Sequence, residues 1–347
     1  MTEDNMANSG SDAPSDDNDT TRRALLMATG ATATAVTAGC ISTPIDLAST
    51  PAAEQLSHVV DSAWLEDNLS DVKPLDTRDQ SAFQAQRVRG ASRVELESVS
   101  AQQEESDGIE PDVAEITTAL SDAGVDQNDD VVVYGDGVDE RVTRTAYALH
   151  VAGHDGEVYV LDGGIDSWHG YSQAGPHDPE PSSYDPDPNT DLFVTRTWLE
   201  DHLDDLAEEE AEIDLIDVRD EDAYLGLDND DRFDRHGHLP GAINIYWDSN
   251  ASGGALHEPD DINTLYFEDA GLSPGRTVVV YCVSGEFASN TWFTLRSLGF
   301  EDVRIYEGGW NEWGNLPGDD YPLETQARAV LEIEAGEDGA DTDAFSC

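Results

Sequence analysis

Short apolar runs alternate with longer stretches of helical patterning along most of the chain. Runs of four to six β-branched or apolar residues, bounded by Gly, Pro or Asp, are typical of buried strands. In the C-terminal half they predict strands at Ile213–Val218, Ala242–Ile245, Val278–Tyr281 and Val303–Tyr306, and helices at Thr197–Leu206, Asp261–Ala270 and Ser289–Leu298. Such alternation favours an α/β fold, a mainly parallel sheet flanked by helices.

The same motifs occur twice, in the same order, in the two halves of the chain. The matching pairs are Trp64–Leu69 with Trp198–Leu203, Leu75–Arg78 with Ile216–Arg219, Arg89–Ala91 with Pro240–Ala242, Val132–Gly135 with Val279–Cys282, and Leu161–Trp168 with Tyr306–Trp313. A repeat of this kind indicates a duplicated domain. We place the two copies at residues 56–170 and 191–323, joined by a linker rich in Pro and Asp at 171–190 and followed by an acidic tail at 324–347.

Cys282 stands at the turn between a predicted strand and a predicted helix. Ligands of parallel sheets bind beyond the carboxyl ends of the strands, where this residue lies. Free backbone N–H groups and the positive end of the helix dipole are expected to favour its thiolate, which is the nucleophilic form. The alternative is a small buried core residue.

Acidic residues dominate the composition. The chain has 75 acidic and 17 basic residues, a formal net charge of −58, with the acid spread along its whole length. Such a surface repels itself unless concentrated salt screens it, which is typical of proteins from halophiles. This charge disfavours binding to nucleic acid or to an anionic membrane surface.

The first 40 residues have the pattern of an export signal. Arg22 and Arg23 precede a short Ala- and Thr-rich apolar run, which resembles a twin-arginine signal and is too short for a stable bilayer span. Val36–Cys40 resembles a lipobox, and residues 41–55 are a flexible tether. We therefore expect lipidation at Cys40 and a location on the extracytoplasmic face of the membrane, with membrane contact only through the lipid. The alternative is a disordered acidic tail with a chance arginine pair.

The cysteine pattern predicts neither a disulfide framework nor a metal site. Cys40, Cys282 and Cys347 are the three cysteines, and no CxxC motif or Cys/His cluster is present. We expect no cofactor, and we interpret Cys347 as an incidental thiol rather than a resolving partner for Cys282.

The second half contains a specific series of motifs: Asp217–Arg219, Gly237–Ala242, Tyr281-Cys282 with its Gly285 loop, and Gly308–Gly314. In this order and spacing they resemble the rhodanese family of sulfurtransferases. The tandem arrangement, with an inactive first domain and an active second one, is similar to thiosulfate and 3-mercaptopyruvate sulfurtransferases. The first domain has Gly135 at the position of Cys282, so it cannot form a persulfide.

The resemblance implies double-displacement catalysis through a persulfide on Cys282. The donor would be a small sulfur compound, thiosulfate first, and the acceptor a thiol or a protein. The substrate-binding residues implied are Arg219 and the loop that follows the cysteine: Val283, Ser284, Gly285, Glu286, Phe287 and Ala288. For an arginine in this motif, a structural ion pair near the loop is more common than a contact with substrate.

Departures from the family pattern leave the donor open. The loop contains no cation, Glu286 adds negative charge, and Ala223 stands where related thiosulfate enzymes can have an arginine. The alternatives are therefore a 3-mercaptopyruvate sulfurtransferase or a non-catalytic module that binds a sulfur compound or a protein at the cell surface. A phosphatase or arsenate reductase would need an arginine at the position of Ala288.

Overall fold

The computed structural model describes residues 56–207 and 212–333, and the predicted signal, lipobox and tether lie outside them. The first domain has nine strands: β1 (Val59–Val60), β2 (Val72–Asp76), β3 (Arg87–Val88), β4 (Ser92–Arg93), β5 (Gln102–Glu105), β6 (Gly108–Pro111), β7 (Asp130–Tyr134), β8 (Val158–Leu161) and β9 (Ser172–Gln173). Its six helices are α1 (Ser62–Asn68), α2 (Gln80–Ala85), α3 (Leu96–Val99), α4 (Val113–Asp122), α5 (Glu140–Val151) and α6 (Gly164–Ser167).

The second domain repeats this layout. Its strands are β10 (Phe193–Val194), β11 (Ile213–Asp217), β12 (Ile243–Ile245), β13 (Ala251–Ser252), β14 (Ala255–Leu256), β15 (Thr277–Tyr281), β16 (Val303–Tyr306) and β17 (Val330–Leu331). Its helices are α7 (Arg196–Ala207), α8 (Glu221–Tyr224), α9 (Pro259–Asn263), α10 (Ala288–Ser297) and α11 (Gly309–Trp313). A π-helical segment, Thr264–Asp269, continues α9, and 3₁₀ turns cover Thr190–Leu192 and Trp247–Asn250.

Each domain is built on one parallel sheet. The first sheet has the strand order β1-β8-β7-β2-β4, and the second has β10-β16-β15-β11-β12-β17. Every neighbouring pair in both sheets is parallel. The α/β class with two tandem, mainly parallel sheets is therefore confirmed.

The central strands are buried on both faces, which explains their continuous apolar sequence. Val278, Val279, Val280 and Tyr281 of β15 are all fully buried, as parallel strands covered by helices require. Helices α5 and α10, each following the central strand of its own sheet, pack against each other between the domains, with Tyr147 and Trp292 in edge-to-face contact at 5.0 Å. The two domains thus share one core, to which α5 and α10 both contribute.

Two segments outside the predicted domain bounds, the linker and the start of the predicted tail, have ordered contacts with the domain that precedes each of them. Glu324 pairs with His238 in an isolated bridge, and β17 adds a sixth strand beside β12. The linker also has ordered contacts with the first domain, since β9 pairs with β3 and Ser182 donates to the Val125 carbonyl. These segments lie against the domains that they follow.

Each domain also extends a β-hairpin onto the other. The first domain's hairpin, β5–β6, contacts the loop after β15, where the Gln102 amide donates to the Ser284 carbonyl at 3.0 Å. The second domain's hairpin, β13–β14, contacts the loop after β7, where the Val138 N–H donates to the Gly254 carbonyl at 2.9 Å. The contacts are reciprocal, and the first of them reaches the site described next.

Candidate active site

Cys282 follows the central strand β15 directly, at the carboxyl edge of the second sheet. The residue is only 1% exposed, yet it forms part of the wall of a cleft at this edge. The chain then turns through five residues before α10 begins at Ala288. A short loop of this kind places the N-terminus of a helix against the sulfur, as the sequence predicts.

Four backbone N–H groups of the loop lie near the Cys282 sulfur and act to lower the pKa of its thiol. They belong to Ser284, Ala288, Phe287 and Gly285. The curl needs a left-handed residue, and Gly285 supplies it with φ at +83°. Successive N–H groups that converge on one point form a binding site for an anion.

Burial nevertheless dominates the acidity of the resting cysteine. Loss of solvent raises the pKa of the Cys282 thiol by more than the four N–H groups lower it. The loop N–H groups therefore lower the pKa of Cys282, as the sequence predicts. The prediction is wrong for the net pKa, which burial raises. At neutral pH the resting group is the thiol, and the N–H groups stabilise the negative charge that develops when it reacts.

Aromatic and charged side chains line the cleft beside the sulfur. Trp247 packs on Phe287 with ring centroids 4.8 Å apart. The remaining lining residues come from the strand ends and from the segment after α8: Val218, Arg219, Asp220, Ala223, Asp228, Asp230, Arg232, Phe233, Tyr246 and Val283. As expected, Ala223 adds no cation.

Arg232 adds a cation to the cleft that the sequence does not predict. This residue lines the cleft with its side chain 50% exposed, and its Nε lies 3.0 Å from Asp230 Oδ1. The loop after the cysteine contains no cationic side chain, as predicted. The positive charge belongs to Arg232, which precedes Cys282 by 50 residues in the sequence. Asp220, Asp228 and Asp230 line the same cleft, so Arg232 acts against a local excess of carboxylates.

Arg219 is held by structural partners at the floor of the cleft. Its Nε lies 3.0 Å from Asp217 Oδ1, and its Nη2 lies 2.6 Å from both Asp217 Oδ2 and the Gly237 carbonyl. The guanidinium also stacks on Trp310 at 4.4 Å from the ring centroid. Two of its three nitrogens are thus occupied, which matches the structural alternative for this residue.

The six predicted loop residues divide by role. Val283 and Phe287 form cleft wall, while Ser284, Gly285, Phe287 and Ala288 supply N–H groups. Glu286 does not line the cleft; it lies toward the first domain, where its charge adds to burial and Asp139 in raising the pKa of Glu140. Its negative charge therefore affects the domain contact more than the cleft.

The equivalent position in the first domain has neither nucleophile nor space for one. A Cβ on Gly135 would lie 2.9 Å from both Thr77 Oγ1 and Val142 Cγ2. The supporting ion pair persists, since Arg78 Nη2 lies 2.7 Å from Asp76 Oδ2. The second domain's hairpin β13–β14 packs over this loop.

Within residues 56–207 and 212–333, no cluster of His, Cys, Asp or Glu side chains has the arrangement of a metal site. Over the same residues, no helix combines the length and the apolar character that crossing a bilayer requires. The predicted lipidation site, Cys40, lies outside the described part of the chain.

Comparison with known proteins gives both halves the same description. The sequence profile of the rhodanese-like domain matches residues 61–171 and 195–316. Thiosulfate sulfurtransferase of Corynebacterium glutamicum is 31% identical over 296 residues, covering 79% of this chain and 94% of that protein. A relative from the haloarchaeon Haloferax volcanii is 28% identical over 279 residues, covering 75% of this chain and 94% of its own length.

A solved structure of similar fold is a 3-mercaptopyruvate sulfotransferase of Escherichia coli. It superposes with a TM-score of 0.61 at 22% identity, covering 73% of this chain and 98% of that one. The similarity extends over both domains, which agrees with the tandem arrangement described above.

Proposed function

The chain belongs to the rhodanese family and is a sulfurtransferase, and we propose that it takes its sulfur from thiosulfate through a persulfide on Cys282. The observation that carries this proposal is the set of four N–H groups directed at the Cys282 sulfur at the inner end of a cleft. A persulfide is an anion one sulfur longer than the thiolate, and the same N–H groups suit it.

The two half-reactions balance without an external oxidant or reductant. The Cys282 thiol loses its proton to solvent, and the resulting thiolate attacks the outer sulfur of thiosulfate. The bond between the two thiosulfate sulfurs breaks, and sulfite leaves with the electron pair. A nucleophilic acceptor then attacks the outer persulfide sulfur, and the cysteine thiolate leaves. With cyanide as the acceptor, the product is thiocyanate.

The name of a relative favours thiosulfate over 3-mercaptopyruvate as the donor, since the similar protein from Corynebacterium glutamicum is called thiosulfate sulfurtransferase. Arg232 places a cation in the cleft that can contact either anionic donor. The 3-mercaptopyruvate reaction stays the second candidate.

Sulfur loading tests the proposal directly. Purified protein in molar KCl, incubated with thiosulfate, is expected to gain the mass of one sulfur atom on Cys282, and cyanide is expected to release it as thiocyanate. Cys282→Ser abolishes the gain, whereas the matched variant Cys347→Ser retains it. If neither thiosulfate nor 3-mercaptopyruvate loads the wild-type protein, the proposed reaction is contradicted and the hypothesis of a binding module is favoured.

We further propose that the protein acts on the extracytoplasmic face of the membrane, held by a lipid on Cys40. The support is the sequence of the first 40 residues, with Arg22-Arg23 before the apolar run and Cys40 at its end. Cell fractionation tests this: Arg22→Lys/Arg23→Lys should retain the protein in the cytoplasm, and Cys40→Ser should release it from the membrane. Equal fractionation of both variants and wild type would disprove it.

A further inference from the structure

The three carbonyls at the start of the catalytic loop each accept a hydrogen bond from outside the loop. The Cys282 carbonyl accepts from the Trp310 N–H at 2.9 Å, and the Val283 carbonyl accepts from the Asn311 N–H at 3.0 Å. The Ser284 carbonyl accepts from the Gln102 side-chain amide at 3.0 Å. The first two donors belong to the catalytic domain, and the third belongs to the inactive one.

These carbonyl contacts decide where the N–H groups point. In a trans peptide, the C=O and the N–H of the same unit point in opposite directions. Holding the Val283 carbonyl away from the sulfur therefore turns the Ser284 N–H toward it, and holding the Ser284 carbonyl turns the Gly285 N–H toward it. The second of these peptides precedes a glycine, which permits both orientations at similar energy, so an external contact must select one.

Gln102 is itself fixed by a buried ion pair that joins the domains. Its amide nitrogen lies 2.6 Å from Glu307 Oε2 and 3.0 Å from the Glu307 carbonyl. Arg144 of α5 binds both oxygens of that carboxylate, each at 2.9 Å, and both charged side chains are fully buried. Glu307 Oε2 would lie 3.0 Å from a Cβ on Gly285, so the pair packs directly beneath the loop.

We infer that the inactive domain completes the anion site of the active one. Gln102 is a positioning residue that directs the Gly285 N–H at Cys282, and the Arg144–Glu307 pair holds Gln102 in place. The inference rests on the proposed function, because the anion it serves is the Cys282 thiolate or persulfide. It also gives the first domain a part in the reaction although Gly135 replaces its cysteine.

The test is the pH profile of Cys282 alkylation in the full-length protein. Iodoacetamide labelling in molar KCl, followed on the Cys282 peptide by mass spectrometry, reports the pKa of this thiol and requires no sulfur donor. Gln102→Ala and Gln102→Glu both remove the N–H donor, and Gln102→Glu nearly preserves the shape of the side chain. The matched control is Gln103→Ala, an exposed neighbour on the same strand.

Both Gln102 variants are expected to move the alkylation midpoint to higher pH. Sulfur-transfer kcat/KM should fall about tenfold, the effect of one hydrogen bond to a charged group, while Gln103→Ala matches wild type. Unchanged alkylation midpoints in both Gln102 variants would overturn the inference, even if the wild-type protein transfers sulfur as proposed. If the alkylation midpoints shift in both Gln102 variants although the wild-type protein never loads sulfur, the inference stands and the proposed reaction is rejected.

Discussion

At the scale of single residues, Arg232 is the side chain through which the cleft can attract an anionic donor. It is half-exposed and shares its charge with Asp230, so its interaction with a ligand is expected to be modest. Arg232→Ala should raise the KM for thiosulfate about fivefold and leave kcat nearly unchanged, since this contact is the same in the ground state and the transition state. Steady-state kinetics in molar KCl provide the measurement.

Arg89→Ala is the matched control for Arg232→Ala. It removes the same charge from an exposed position on the first domain. A KM for thiosulfate that is equal in the two variants would mean that Arg232 does not bind the donor. A larger KM increase for 3-mercaptopyruvate than for thiosulfate would instead assign the arginine to the other donor.

The residues of the site differ in how far sequence could predict them. Cys282 and its loop are contiguous, and strand, glycine and helix patterns surround them, so their geometry follows from local sequence. Arg232 lies in an acidic segment without a helical or strand pattern, and Gln102 lies in the other domain. Their positions depend on tertiary packing, which no local pattern encodes. The net pKa of Cys282 was mispredicted for the same reason, since burial depends on the whole cleft.

At the scale of elements, the strands beside the site agree with prediction to within one residue. Prediction gave Val278–Tyr281 and Val303–Tyr306, and the structure has Thr277–Tyr281 and Val303–Tyr306. Continuous apolar runs bounded by polar turns explain this accuracy. The predicted helix Asp261–Ala270 is instead a short α-helix followed by a π-helical segment, a distinction that apolar spacing does not resolve.

The hairpins and the last strand were not predicted, for different physical reasons. Strand β5 reads Gln-Gln-Glu-Glu, and its polar side chains lack the alternation of a half-buried strand. Strand β17 is two residues long and lies within an acidic stretch. Strand β17 pairs with β12, which is distant in sequence, whereas β5 pairs with its neighbour β6 in a hairpin of polar residues.

The pairing of β17 with β12 is expected to stabilise the catalytic domain. Leu331 is 8% exposed and joins the core shared by both domains. Leu331→Ala should lower the free energy of unfolding by about 2 kcal/mol, through lost burial and the cavity left behind. Urea unfolding in molar KCl is the measurement.

Glu332→Ala is the control for Leu331→Ala. The neighbouring residue is exposed, so its replacement should change the free energy of unfolding by less than about 0.5 kcal/mol. Equal stability of the two variants would show that β17 contributes nothing to the domain.

At the scale of the whole molecule, the net charge of −58 governs the conditions in which the protein folds. Like charges on the surface repel one another over about 10 Å at 0.1 M salt and about 3 Å at 1 M. The urea midpoint of unfolding is therefore expected to rise from about 0.2 M to about 2 M KCl. Buried ion pairs such as Arg144–Glu307 are screened much less, so the gain comes from the surface.

Choline chloride at equal ionic strength distinguishes screening from binding of potassium. Screening predicts the same rise in the urea midpoint with either salt, followed by circular dichroism. A midpoint that rises only in KCl would assign the effect to specific ion binding, and a constant midpoint in both salts would contradict the role given to surface repulsion.

The reciprocal hairpins have a consequence for the ancestry of the chain. Glu307 accepts from Gln102 of one hairpin, and its repeat counterpart, Asp162, accepts from the Leu256 N–H of the other at 2.9 Å. The matching hairpins thus contact matching loops of the other domain, an arrangement similar to an isologous, two-fold interface. The tandem chain therefore has the geometry of a symmetric homodimer fused into one gene product. After such a fusion one nucleophile becomes dispensable, whereas the domain that carried it does not.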